Sequence, residues 1–135
     1  MSTVYISAKI VPGNDVVLAL LAWCEQHGFE CAYNWIEHPI ARPFTGQPAA
    51  EEAAGAMISS AGSSDLFVLI LTDGLVGALI ELGAALATAS ITNGDLPAIY
   101  IVGTPAQREQ SVFYHHPAVN WCNSLDDLKA AIEQD

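Results

Sequence analysis

The sequence predicts one α/β domain, residues 1–135, built on a parallel sheet of about five strands with helices on both faces. First, apolar segments of strand length alternate along the chain with segments of helix length. Second, residues 65–71 (DLFVLIL) form a continuous apolar run, which is typical of a parallel strand covered on both faces. Third, 135 residues with 52% hydrophobic side chains are enough for one core. We find no internal repeat and no linker, so a single domain is expected.

The strands and helices follow from hydrophobic periodicity. The segments predicted as strands are residues 3–8, 29–35, 65–71, 97–103 and 118–122. The segments predicted as helices are residues 15–27, 49–61, 76–91 and 125–133. Residues 36–47 and 104–116 are predicted to be loops, and loops of this length often contribute to binding.

Turn residues mark the boundaries of these elements. Pro12, Gly13 and Asn14 predict a turn, and Asn14 is placed to cap the first helix. Gly28 is expected to end that helix. Asp73 and Gly74 predict a turn between the central strand and helix 76–91.

Composition excludes several kinds of partner. The formal net charge is −11, with only four Lys and Arg residues, so neither a nucleic acid polymer nor an anionic membrane surface is an expected partner. A small neutral or weakly charged ligand is easier to accommodate. The three cysteines have no CxxC spacing, and the pair His115–His116 lacks a third ligand, so we expect no disulfide, metal or cofactor. No secretion signal and no membrane-spanning run is evident, which predicts a cytoplasmic protein.

Helix 76–91 (VGALIELGAALATASI) carries the most distinctive chemical feature, a lone carboxylate at Glu81. Apolar side chains cover every other face, so this helix is expected to be buried or to form a subunit interface. Burying a carboxylate is costly unless it is hydrogen-bonded or paired. Gly77, Ala84 and Ala85 lie on the same face and leave room for a ligand, and the early position in the helix favours the ionised form.

Two interpretations of Glu81 remain open at this point. An ionised, partly desolvated carboxylate can act as a nucleophile or stabilise a developing cation. Alternatively, Glu81 is a structural residue bonded to a neighbouring group. In open α/β sheets ligands bind beyond the carboxyl ends of the strands, and helix 76–91 is expected to begin there.

Several segments together resemble the nucleoside 2-deoxyribosyltransferase-like family. They are VYISA at 4–8, YNW at 33–35, SDLFVLIL at 64–71, GALIELGAA at 77–85, and SVFYHHPAV at 111–119 followed by SLDDLKAAI. The resemblance covers nearly the whole chain, and the ELGxA run after an apolar strand is its most specific part. It implies a flavodoxin-like or Rossmann-like three-layer sandwich, and it implies cleavage of, or transfer at, the N-glycosidic bond of a nucleoside or nucleotide.

The resemblance also implies residue roles. Glu81 matches the family's nucleophile, which attacks the anomeric carbon and holds the sugar covalently. Tyr5 matches a tyrosine that orients this carboxylate, and Asp65 matches an aspartate that contacts the base and assists proton transfer. Gly77 matches the glycine that keeps the sugar pocket open. These roles suit a transition state with oxocarbenium character.

The sequence departs from the family pattern six residues before the nucleophile, where Leu75 replaces a polar residue. Asp73 lies two residues earlier and is the expected substitute in substrate binding. Ala8 and Lys9 follow the opening strand and are expected near the mouth of the site. Trp35 is a candidate to stack on the base. The shortage of basic residues favours a nucleoside-like substrate over a nucleotide.

Two alternatives remain. One is an NAD glycohydrolase similar to TIR domains, which share the opening strand (YIS here) and a glutamate on a comparable helix. The other is a non-catalytic module that binds or senses a nucleotide, which Leu75 favours. No GxSxG, GxxxxGKS or GxGxxG sequence occurs, so serine hydrolases, P-loop proteins and dinucleotide-binding proteins have no support. A homo-oligomer joined through helix 76–91 is expected.

Overall fold

The structure is a computed structural model that describes residues 2–9 and 14–134. Its strands are β1 (Ser2–Ser7), β2 (Phe29–Cys31), β3 (Leu66–Ile70), β4 (Ala98–Val102) and β5 (Val119–Cys122). Its α-helices are α1 (Asp15–Gln26), α2 (Pro48–Ser63), α3 (Gly77–Ile91), α4 (Pro105–Arg108) and α5 (Leu125–Glu133). Two 3-10 helices, Trp35–Glu37 and Val112–His115, lie in the two long connections.

The five strands form one parallel sheet in the order β2-β1-β3-β4-β5. This is the flavodoxin-like order, and it confirms the predicted three-layer α/β architecture. Because right-handed crossovers toward opposite edges of a sheet place their helices on opposite faces, α1 lies on one face and α2 with α3 on the other. The core runs along the central strands, where the completely buried side chains are Val4, Tyr5, Phe67, Val68, Leu69, Ile99 and Ile101.

The predicted ends of α1 follow from local chemistry. The Asn14 side chain accepts a hydrogen bond from the Val17 amide and caps the first turn, as expected. Gly28 follows the last turn with a φ of +88°, a backbone conformation that glycine adopts without strain. The predicted turn at Pro12 and Gly13 lies outside the described residues.

The prediction of a strand over residues 29–35 was too long, because β2 ends at Cys31. The Asn34 side chain accepts a hydrogen bond from the Ile36 amide and starts a 3-10 helix instead. The prediction of a loop over residues 104–116 missed two short helices. The first of them, α4, begins with a capping box in which Thr104 and Gln107 bond each other's backbone amides.

Helix α3 has one buried face and one open face. Its buried residues are Ala78, Glu81, Leu82, Ala85, Leu86 and Ala89. Leu79, Ile80 and Ile91 are exposed on the other side. Within residues 2–9 and 14–134, no helix has the length and apolar character needed to cross a membrane.

Candidate active site

The candidate site lies where the strand order changes direction. From β1 the chain crosses to β2 on one side, and from β3 it crosses to β4 on the other. The connections that leave β1 and β3 therefore diverge at the carboxyl ends of these adjacent strands, and this divergence opens a crevice in doubly wound folds. Helix α3 follows β3 and carries Glu81 back toward β1.

Glu81 is held by two hydroxyl groups from β1. The Tyr5 hydroxyl donates a hydrogen bond to Glu81 Oε2, and the Ser7 hydroxyl donates to Oε1 at 3.0 Å. Tyr5 and Ser7 are two residues apart on one strand, so both side chains point to the α3 face of the sheet. Each carboxylate oxygen therefore has a fixed donor, and the side chain of Glu81 is oriented before any ligand arrives.

Burial governs the electrostatics of the Glu81 trio, which consists of Glu81, Tyr5 and Ser7. Glu81 is only 8% exposed, and loss of hydration raises the pKa of its carboxyl group. The hydrogen bonds from Tyr5 and Ser7 oppose this rise, because they stabilise the ionised form. Burial and the nearby carboxylate raise the pKa of Tyr5, so its phenol keeps the proton that it donates.

The helix dipole is expected to favour ionised Glu81, and the position of this residue in α3 limits how strongly it can do so. Glu81 is the fifth residue of α3 and lies in the second turn, where the dipole field is already weak. Desolvation is the largest influence on its pKa. Among the residues that the structure describes, none forms a salt bridge with Glu81.

Ser7 was missing from the residues expected in the site. The signal was present in the opening segment VYISA, because a hydroxyl two positions after Tyr5 must share its face of the strand. The family resemblance concerns Tyr5 alone, whereas the alternation of side chains along the strand places Ser7 on the same face.

Asp65 lies at the other end of β3 from the residues around Glu81, so the structure does not bring these two carboxylates together. It precedes β3, and its Oδ2 accepts hydrogen bonds from the Thr3 amide at 2.8 Å and the Thr3 hydroxyl at 3.4 Å. Ser7 pairs with Leu69 at the other end of the two strands. Four residues of strand separate Asp65 from Leu69, a distance of about 13 Å. Asp65 therefore ties the amino ends of β1 and β3 together.

Trp35 also has a position other than the expected one. Its side chain is 5% exposed, and the indole N–H donates to the Ile6 carbonyl at 2.8 Å. Because ring and donor are both used in the core, Trp35 offers no free face for stacking on a base. It fixes the segment after β2 against β1.

The remaining candidates lie just after the carboxyl ends of β1 and β3. Lys9 reaches the turn after β3, since a Cβ placed on Gly74 would lie 3.6 Å from Lys9 Nζ. Asp73, in the same turn, is exposed. Gly77 begins α3, and a Cβ added there would meet no atom within 4 Å. Ala8 is 7% exposed at the end of β1.

The face of α3 around Glu81 is also used in packing. A Cβ on Gly62 of α2 would lie 3.2 Å from Thr88 Oγ1 and 3.7 Å from the Ala84 carbonyl oxygen, so the glycine at 62 lets α2 approach α3 closely. Ala85 is completely buried. Leu75, which replaces the polar residue of the family pattern, is half-buried against the core.

The chemistry available at this site is that of an oriented carboxylate. Hydroxyl donors on both oxygens stabilise its ionised form, while burial keeps it weakly hydrated and therefore reactive. In the described part of the chain, no cluster of three His, Cys, Asp or Glu side chains is arranged to hold a metal ion.

The fold is similar to that of a solved structure of the CMP N-glycosidase BcmB from Clostridium botulinum. The match has a TM-score of 0.62 and covers 99% of this chain and 100% of the other, with 14% sequence identity. No protein-family model matches the sequence, and no curated protein matches it in sequence. At this identity the likeness establishes the three-layer fold with its five-stranded parallel sheet.

Proposed function

We propose that the chain cleaves the N-glycosidic bond of a nucleoside-like substrate, or transfers its sugar, with Glu81 as the nucleophile. The observation that carries the proposal is the buried Glu81 carboxylate with a hydroxyl donor on each oxygen. It stands at the switch point of the sheet, where folds of this order bind ligands. A purely structural carboxylate at this place would cost stability without a partner of opposite charge.

In the proposed reaction, a carboxylate oxygen of ionised Glu81 attacks the anomeric carbon of the sugar. The bond from this carbon to the base nitrogen breaks, and the base leaves with the electron pair and takes up a proton from water. Water or a second base then attacks the same carbon and releases Glu81, so the configuration at this carbon is retained. Tyr5 and Ser7 hold the carboxylate in place, and their hydrogen bonds stabilise its negative charge before the attack and after Glu81 is released.

Four further residues are proposed to bind the substrate. Lys9 and Asp73 border the mouth, and Gly77 leaves open space beside the first turn of α3. Ala8 contributes a small side chain at the end of β1. The solved neighbour of the same fold is a CMP N-glycosidase, which supports N-glycosidic chemistry on a nucleoside or nucleotide.

The proposal is tested by trapping the covalent intermediate. The protein is incubated with a slow 2-fluoro-2-deoxynucleoside, digested, and examined by mass spectrometry. We expect a peptide containing Glu81 to gain the mass of the fluorosugar, and Glu81→Gln to show no adduct. Glu133→Gln, which changes an exposed carboxylate on α5, is the matched control and should be labelled like the wild type. An adduct on another residue would contradict the assignment.

Turnover assays separate this function from its alternatives. Release of free base from deoxynucleosides supports the proposal, whereas release of nicotinamide from NAD with no base release would indicate an NAD glycohydrolase. Binding of a nucleoside with no base release, unchanged in Glu81→Gln, would indicate a non-catalytic module and overturn the proposal.

A further inference from the structure

A groove of about 420 Å³ lies between the amino-terminal half of α2 and the segment that follows β2. Small-molecule sites commonly have volumes of a few hundred Å³. The residues that line this groove include Tyr33, His38, Ala49, Glu52, Ala53 and Ala56. None of them was assigned a role by the resemblance or by the proposed reaction.

The walls of this α2 groove suit a flat ring. Tyr33 and His38 stack with their ring centroids 5.4 Å apart and their planes 20° apart, which gives one side an aromatic surface. Ala49, Ala53 and Ala56 recur at helical spacing along α2, so they share a face and present only methyl groups. A planar heterocycle can therefore lie between a methyl-lined helix and an aromatic pair.

One charged acceptor lies at the rim of this groove. Glu52 is exposed on α2 and is the only carboxylate among the described residues that line the groove. An ionised carboxylate only accepts hydrogen bonds, so it favours a ring edge that carries N–H groups. It disfavours an edge with two carbonyl oxygens, because those oxygens would face its negative charge.

The α2 groove lies beside β1, the strand that carries Tyr5. The Ala32 amide donates a hydrogen bond to the Val4 carbonyl at 2.9 Å, and the next residue, Tyr33, belongs to the groove lining. Tyr5 in turn bonds Glu81. Residues 33–38 follow the carboxyl end of β2, so the groove opens at the same edge of the sheet as the site.

We propose that the α2 groove binds the base of the substrate, and that Glu52 selects bases that carry an amino group, such as cytosine, over bases with two carbonyl groups, such as uracil. That this base is part of the substrate rests on the proposed function. The preference for one free base over another can be measured independently of catalysis, because free bases have no glycosidic bond to break.

The test therefore uses free cytosine and uracil, two rings of the same size. Cytosine carries an amino group at C4 and no hydrogen on N3, whereas uracil carries a carbonyl group at C4 and a hydrogen on N3. Both are titrated into the wild-type protein, Glu52→Gln and Glu51→Gln, with NMR detection of alanine methyl signals. Glu51 is the matched control, because it is an exposed neighbouring carboxylate that does not line the groove. Hydrogen bonds to a charged group predict that the wild type binds cytosine about 10-fold or more tightly than uracil.

In Glu52→Gln this preference should fall to within about 3-fold, since the amide also donates hydrogen bonds to carbonyl oxygens. In Glu51→Gln it should stay as in the wild type, and the shifted methyl signals should be those of Ala49, Ala53 and Ala56. Equal binding of the two bases by the wild type would overturn the proposal. So would a preference for cytosine over uracil that Glu52→Gln leaves intact, or shifts confined to other alanines. Cytosine bound in the groove without any nucleoside cleavage would refute the enzymatic function alone.

Discussion

Replacing Tyr5 with Phe tests the central interaction most directly. The substitution removes one hydroxyl group and keeps the ring, which is completely buried and packs on Phe67 at a centroid distance of 6.2 Å. Tyr5 is the donor to Glu81 Oε2, so the substitution leaves this oxygen without that hydrogen bond. Hydrogen bonds to charged groups contribute about 1.5 to 3 kcal/mol. At roughly 4 °C per kcal/mol for a chain of this size, the melting temperature should fall by about 6 to 12 °C.

The loss should depend on pH in a defined direction. Burial raises the pKa of Glu81 above its unfolded value, so the native site is most stable at low pH, and its contribution falls as pH rises through the folded-state pKa. The Tyr5 hydrogen bond opposes the rise. Without it the pKa of Glu81 goes higher still. The fall in melting temperature caused by Tyr5→Phe should therefore be largest at pH 8. It should be smallest at pH 4, where both proteins carry protonated Glu81.

Thermal unfolding at pH 4, 6 and 8 measures this effect, and the pH dependence of base release measures its consequence. The acidic limb of the activity profile should move to higher pH in Tyr5→Phe, because attack requires ionised Glu81. Tyr114→Phe is the control, since Tyr114 is also buried and packs on Trp121 at another part of the sheet. A melting-temperature loss that is equal at all three pH values, with an unmoved acidic limb, would refute the reasoning.

Three further changes test the remaining assignments. Glu81→Gln should abolish turnover yet melt higher than the wild type at pH 8, because it removes a buried charge; a melting temperature below that of the wild type at pH 8 would contradict this. Asp65→Asn should lower the free energy of unfolding in urea by about 1 kcal/mol, because it weakens the hydrogen bonds to Thr3, and it should leave kcat unchanged. A large loss of kcat would instead indicate a catalytic role for Asp65. In light scattering, Ile80→Lys on the open face of α3 should turn a homo-oligomer into monomers, whereas Val16→Lys on α1 should not; a monomeric wild type would refute the interface.

Features encoded by neighbouring residues could be predicted. The apolar run at residues 65–71 matches β3 closely, because a strand buried on both faces leaves a continuous hydrophobic signature. Asn14 and Gly28 gave the ends of α1, since capping depends on residues within one turn. Glu81 stood out because a charge within an apolar helix is rare.

Features that depend on distant contacts were predicted poorly. Asp65 matched a family motif, but strand register places it about 13 Å from the carboxyl end of β3 and gives it Thr3 as partner. Trp35 was predicted to end a strand, but it lies in a 3-10 helix and its indole N–H donates to the Ile6 carbonyl. No local pattern specifies either partner.

By itself, the sequence determined the parallel α/β architecture and the identity of the one anomalous carboxylate, because both follow from hydrophobic patterns within single elements. Only the tertiary structure decided that Ser7 completes the support of Glu81, and that Glu52 faces a groove beside β1. It also decided that burial is the largest influence on the pKa of Glu81 and raises it. The reason is that desolvation and hydrogen-bond partners depend on how elements pack against one another, and residues 7 and 81 meet only once the sheet and α3 are assembled.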